Sequence, residues 1–318
     1  MASRFEEIDL DSLKRLGIEE RGGLIAVDDF VDPYDPSGEV DRMLSVIPGL
    51  FSGGDFARAV EAVVEASGRG APVVVMLGAH FIKCGLSRLL IDLMERKIVT
   101  AVAMNGAGAI HDFEIASWGK TSEDVAERLP DGSFGMCSDT ADGMNDAISE
   151  GAEREEGMGE ALGRRLVESG APHVDSSILA AGHRHGLPVT IHVAVGTDII
   201  HQHASADGAA IGQTSLRDFR ILTAVVSGLD GGVAINVGSA VILPEVFLKA
   251  LSIARNLGHA RGPLTTVSMD MNEPYRAMVN VVRRPTAQSG NGIALRGRHE
   301  LLFPMFWAAV RRGVVRGE

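Results

Sequence analysis

Residues 72–112, PVVVMLGAHFIKCGLSRLLIDLMERKIVTAVAMNGAGAIHD, decide the fold. Two apolar runs, Pro72–Leu77 and Ile98–Met104 (interrupted only by Thr100), each end at a glycine-containing turn, and between them Leu86–Lys97 carries apolar residues at helical spacing. Apolar runs without polar alternation read as strands covered on both faces, which belong to parallel sheets with helices above and below. The same beat returns at Leu187–Val195, Gly232–Val237 and Leu264–Met271. Helical patterns stand at Leu216–Leu229 and at Pro244–Gly258, the latter with Pro in its first turn and Gly past its end. The chain therefore reads as α/β: a Rossmann-like, doubly wound, mostly parallel sheet with helices on both faces.

Working outward, DFARAVEAVVEA (Asp55–Ala66) shows helical spacing behind an Asp able to act as N-cap. Residues 1–50, broken by Asp, Pro and Gly, read as an N-terminal extension that wraps the body, and residues 51–318 as a single domain. The charged stretch Asp142–Gly170 reads as a helical excursion over the sheet's carboxyl edge. A formal charge of −12 argues against phosphate-tracking surfaces and so against nucleic-acid partners. Two cysteines, Cys84 and Cys137, allow no disulfide framework, and no 18-residue apolar run exists, so the expectation is a cytoplasmic protein with no membrane partner.

In a parallel sheet the carboxyl tips meet at one rim, which here would collect Gly78–His80, Asn105–Asp112, Gly196–His203, Gly238–Ala240 and Asp270–Asn272. The turns Asn105, Gly106, Ala107, Gly108 and Gly238, Ser239 are small enough for backbone N–H groups to approach a phosphate, and Asp270 is a candidate to bind a ribose or an amine. The densest ionisable segment is GTDIIHQHASADGAAIG (Gly196–Gly212). There His201 or His203, oriented by Asp198, are the candidate proton-transfer groups, while His111, Asp112 and Asp207 are candidates for holding a substrate. Two histidines one residue apart also admit a metal reading, but no third ligand is fixed by spacing and none is assigned. Ser205 lacks a Gly-x-Ser-x-Gly elbow, and Cys84 near His80 reads more naturally as packing than as a nucleophile.

FSGGDFARAVEAVVEA (Phe51–Ala66), Val73–Glu114, LPVTIHVAVGTD (Leu187–Asp198), RRPTAQSGNGI (Arg283–Ile293) and HELLFPMFWAAV (His299–Val310) together resemble, in order, the deoxyhypusine synthase family over nearly the whole chain. The resemblance implies a Rossmann-like homotetramer with NAD bound near Asn105–Ala109, Asp198 and Gly238–Ala240. In that family NAD oxidises spermidine, and the aminobutyl group passes through an active-site lysine to a protein lysine. The family's lysine segment corresponds here to Ser289-Gly290-Asn291-Gly292, and no lysine follows Lys249. The string SWGK occurs only at Ser117–Lys120, far from that place in the chain.

The expectation is accordingly an NAD-dependent enzyme acting on a small amine- or hydroxyl-bearing substrate, with aminoalkyl transfer open only if Lys83 or Lys120 reaches the site. Two alternatives stand beside it: a catalytically inactive paralogue that regulates a partner, and a metal-assisted lyase or hydrolase on the same rim.

Overall fold

The computed structural model describes residues 13–21, 23–35 and 38–317. Six strands, β1 (Val73–Leu77), β2 (Ala101–Asn105), β3 (Val189–His192), β4 (Val233–Val237), β5 (Leu264–Asp270) and β6 (Gly290–Arg296), form one sheet in the order β3-β2-β1-β4-β5-β6. Every pairing in it is parallel. The strand order reverses between β1 and β4, so this is a doubly wound sheet with its switch point there. Five strands coincide with the apolar runs. β6 has no such run because its first three residues, Gly290, Asn291 and Gly292, are exposed.

Both faces of the sheet are covered, and the strand residues divide by parity. Val73, Val75 and Leu77 of β1 join one core with Phe56, Leu90, Ile110, Leu179 and Phe303. These come from helices α1 (Phe51–Gly68), α2 (Ser87–Glu95), α3 (Gly106–Trp118), α6 (Ile178–His185) and α9 (His299–Gly317). Val74 and Met76 join the opposite core with Leu222 and Val226 of α7 (Gly208–Ser227) and Phe247 and Leu251 of α8 (Ile242–Asn256). Each fully buried Val, Leu or Phe is worth about 1.5–3 kcal/mol of transfer free energy, so an all-apolar strand is stable only between two layers.

The excursion expected at Asp142–Gly170 is a pair of helices, α4 (Ser138–Glu153) and α5 (Met158–Glu168). With α7 they guard the open edge of β3. Asp218 on α7 accepts hydrogen bonds at one oxygen from Ile191 N (2.7 Å) and Gly159 N (3.0 Å), and Ser215 Oγ donates to Ile191 O (3.0 Å). The sheet edge is thus satisfied by side chains instead of a seventh strand, which removes a template for edge-to-edge pairing. α7 starts eight residues before the expected Leu216, because Asp207 accepts from Ala209 N and Ala210 N and sets its N-terminus.

Of the extension read at 1–50, residues 1–12, 22, 36 and 37 lie outside the described residues, and residues around Arg21 and Ile25 lie over α3. Ile25–Ala26 pair antiparallel with Lys120–Thr121, Leu16 bridges to Cys137, and Arg21 reaches the buried Glu114 through two hydrogen bonds of 2.6 and 3.1 Å. No described helix is long and apolar enough to cross a membrane.

Candidate functional site

Two cavities open at the carboxyl rim, one on either side of the loop that follows β1. The first lies at the switch point. Gly78 N donates to Val237 O (2.8 Å), and Gly238 N donates to Met269 O (3.0 Å), which holds three strand tips together. A Cβ on Gly78 would stand 2.2 Å from Gly238 O, so only glycine lets the two backbones meet. Gly238 itself has φ +69°, a left-handed conformation that disfavours side chains. Just beyond is a cavity of about 130 Å³ lined by His80, Gly238, Asp270, Arg298, His299 and Glu300.

Its titratable groups are set by burial. His299 is buried, with Nε2 3.3 Å from Met269 O, and burial lowers its pKa, so the imidazole is neutral near pH 7. Its ring lies 6.0 Å from that of the exposed His80. Asp270 Oδ1 accepts from Asn272 N (2.9 Å), which fixes the carboxylate at the tip of β5. Cys84, which contacts Glu300 at 3.7 Å, has its thiol pushed up to about 11 by burial first and the Glu300 charge second, so it is a poor nucleophile at neutral pH.

The second cavity, about 230 Å³, lies over α3 and includes Lys83, Ala107, His111, Glu114, Glu123 and Asp198 in its walls. Glu114 is fully engaged, accepting from Arg21, from Thr121 Oγ1 (2.5 Å) and from Thr140 Oγ1 (2.7 Å). His111 is bonded to Thr121 Oγ1 at 2.7 Å, and burial, opposed by Glu114, brings its pKa down to about 4. Asp198 is 5% exposed, and burial raises its pKa to about 6. Its Oδ2, like Glu123 Oε2, is buried without a hydrogen-bond partner. Of the two lysines that the sequence left open, Lys83 reaches this cavity, whereas Lys120 ion-pairs with Glu19 at 2.7 Å.

The structure corrects several residue assignments. The turn Asn105-Gly106-Ala107-Gly108 does not present free N–H groups: Asn105 Oδ1 accepts from Gly108 N (3.0 Å), and Asp198 accepts from Ala107 N. A Cβ on Gly106 would fall 1.9 Å from Asp198 Oδ2, so the carboxylate already fills the helix N-terminus where a phosphate was expected. Asp198 orients neither histidine. His201 Nδ1 accepts from Gly196 N (3.2 Å), and His203, 1% exposed, bonds Gly135 O through Nε2 (2.8 Å), which ties two loops together.

Asp112 is 0% exposed and accepts from Ser177 Oγ, Ile178 N and Leu179 N, so it caps α6 instead of meeting a substrate. Asp207 caps α7 on the surface. Ser239 Oγ accepts from Leu243 N (3.2 Å) at the start of α8. His111, Ala107, Gly238 and Asp270 do line the rim cavities. Among the described residues no three His, Cys, Asp or Glu side chains assemble as a metal-holding group.

Glu123, Arg298 and His299 line the rim cavities but are not singled out by the sequence, in which Lys83 stands only as one of two lysines open to aminoalkyl transfer. His299 stands just after β6, the strand without an apolar run, and Glu123 enters the cavity only because the chain after Thr121 folds back over α3. The placement of Lys83 follows from β1: it ends the short helix His80–Lys83 directly past the strand tip.

No protein-family model and no curated protein matches this chain. Among solved structures it is similar to unliganded AgrE at a TM-score of 0.53 and 14% identity, over 83% of this chain and 32% of that one. It is similar to the ternary complex of AgrE with ornithine and NAD+ at a TM-score of 0.50 and 14% identity, over 82% and 32%. A deoxyhypusine synthase-like protein from Entamoeba histolytica is similar at a TM-score of 0.49 and 11% identity, over 88% of this chain and 96% of that one. The chain spans about a third of the length of AgrE. The likeness to AgrE is one of fold: the doubly wound α/β architecture.

Proposed function

We propose that the protein is an NAD-dependent enzyme acting on a small molecule that bears an amine or a hydroxyl group, with the dinucleotide lying across the carboxyl rim at the switch point. The observation that carries this reading is the backbone contact of Gly78 with Gly238, between the strands where the order reverses, with the His80–Asp270–His299 cavity directly outside it. Ligands of open α/β sheets sit in that crevice, beyond the carboxyl ends of the strands. AgrE, of which this chain covers about a third, has been solved in a ternary complex with ornithine and NAD+.

The residues at the switch point fit a dinucleotide, and those at α3 do not. Arg298 supplies a cation for a pyrophosphate, Asp270 an acceptor for ribose hydroxyls, and Gly238 a side-chain-free approach. A bound nicotinamide supplies the hydride acceptor that no protein side chain can replace. The chain's own part is to take up the proton that leaves with the hydride. Neutral His299 is suited to that, whereas His203 is committed to Gly135. Lys83 is the one lysine that keeps aminoalkyl transfer open among the two considered.

A homotetramer belongs to the same reading. Its support is the exposed apolar surface of Val46 (77%), Leu50 (70%) and Phe51 (92%), an unusual cluster for a surface left to water. Light scattering of wild type and Phe51→Asp checks it: a lower mass for the variant supports the assembly, and a monomeric wild type refutes it.

Fluorescence titration with NADH tests the principal claim. Saturable binding that is weakened by Arg298→Ala and by Asp270→Ala is expected. Absence of binding at millimolar NADH overturns the reading.

A further inference from the structure

The cavity over α3 contains buried carboxylate oxygens without a hydrogen-bond donor and a lysine without an ion-pair partner among the described residues. Arg21 and Glu114 satisfy one another. That leaves, on the acidic side, the buried and unpartnered oxygens Asp198 Oδ2 and Glu123 Oε2. On the basic side stands Lys83, half-buried in the same wall, whose ammonium makes no hydrogen bond or ion pair among the described residues. His111 adds no charge near neutrality, since its pKa lies near 4. A buried carboxylate oxygen without a donor is costly, whereas the Lys83 ammonium, half-exposed and without an ion-pair partner among the described residues, is available to an anion.

We propose that this cavity binds a small zwitterion of amino-acid type, its ammonium group meeting Glu123 and Asp198 and its carboxylate meeting Lys83. A purely cationic ligand would leave Lys83 unpaired and add repulsion, and a purely anionic one would do the same to the two carboxylates. A ligand with both charges supplies the missing donor to the carboxylates and pairs the lysine at once. The volume agrees: about 230 Å³ accommodates a molecule of amino-acid size. The apolar part of the ligand has Ile110, Val125, Phe134 and Ile199 for company. The neutral ring of His111 completes the polar lining without adding a further charge.

This deepens the proposed function, since it names the substrate class at the same rim, but it rests on the identity of the rim as the functional site and not on the nucleotide. Calorimetry on the full chain with four probes of matched length tests it: L-2-aminobutyrate and 4-aminobutyrate, which are zwitterions, against n-butylamine and butyrate. At least one zwitterion is expected to bind about tenfold or more tightly than either singly charged probe. Lys83→Met should abolish that advantage and bring butylamine level with the zwitterion, and the isosteric Glu123→Gln should do the same for butyrate.

Circular dichroism confirms that both variants fold, and the half-exposed place of Lys83 makes a folding defect there unexpected. Equal binding of butylamine and the zwitterions by the wild type makes this a simple cation site and overturns the proposal. Binding of none of the four probes makes it a water-filled void and overturns it equally. NADH is titrated in parallel: zwitterion binding without NADH binding sinks the nucleotide reading alone, and the converse sinks this one alone.

Discussion

Replacing Gly78 with Ala tests the geometry at the switch point most sharply. The new Cβ would lie 2.2 Å from Gly238 O, 2.6 Å from Gly238 C and 3.1 Å from Ser239 N, all backbone atoms with no flexible side chain to yield. The tips of β1 and β4 must part by roughly 1 Å in an interior that is otherwise close-packed. Overpacking of this kind costs about 1–3 kcal/mol. The separation also stretches the bonds Gly78 N to Val237 O and Gly238 N to Met269 O, each worth about 1 kcal/mol. Together these give a loss of about 3–5 kcal/mol, or roughly 6–10 °C in thermal midpoint at about 2 °C per kcal/mol for a chain of this size.

The same displacement widens the crevice by roughly 1 Å, enough to break a hydrogen bond to the ligand, so NADH affinity should fall by about tenfold or more. Thermal unfolding followed by circular dichroism and NADH fluorescence titration read the two effects separately. A variant that melts within two degrees of the wild type and binds NADH unchanged would refute the claim that this glycine contact shapes the site. Gly212→Ala is the matched control: Gly212 lies exposed inside α7 with nothing within 4 Å of an added Cβ, so it should stabilise by about 0.5–1 kcal/mol and leave NADH binding alone.

Three further outcomes are expected. Asp218→Ala leaves Ile191 N and Gly159 N buried without an acceptor at the edge of β3, which should cost about 2–5 kcal/mol and speed hydrogen exchange at Ile191; unchanged protection there would refute the edge-guarding role. Asp92→Ala strands Arg311, 5% exposed, and removes the acceptor of Trp307 Nε1, so α9 should loosen at a cost of about 3–5 kcal/mol, read as a lower thermal midpoint; a shift under two degrees counts against it. His192 is buried beside Thr190, and burial lowers its pKa from 6.5 to about 4, below its unfolded value. Its contribution is therefore fully present above pH 6.5 and lost as pH falls towards 4, by about 3 kcal/mol. Against it, Asp112 and Asp218, raised from 3.8 to about 6 and about 7, lose stability as pH rises through that range. The difference in thermal midpoint between wild type and His192→Gln should shrink on acidification from pH 6.5 to 4, and a constant difference would show that His192 does not titrate as its burial requires.

The sheet was legible in the sequence because its strands are buried on both sides. Val73–Leu77 lies between two cores, so every position must be apolar, and the run announces itself without any partner being known. Helix starts were less legible: the helix read behind an Asp55 cap begins at Phe51 with no capping side chain, and Asp207, read as substrate-holding, spends its oxygen on Ala209 N and Ala210 N to start α7 well before Leu216. β6 was not legible, since Gly290–Gly292 carry no apolar signal and pair only because β5 offers a free edge beside them.

The site divides along the same line. The amino-acid sequence alone determined which segments reach the rim, because the strand tips of a parallel sheet share one end. It did not determine what their ionisable groups do there. Asp198 turned out to sit on the N-terminus of α3, His203 to clasp Gly135, and Lys83 and Glu123 to face a common cavity. Those outcomes were decided by the tertiary structure, since a carboxylate or an imidazole takes the donors and acceptors that packing brings within about 3 Å, and that distance is not written in residue spacing.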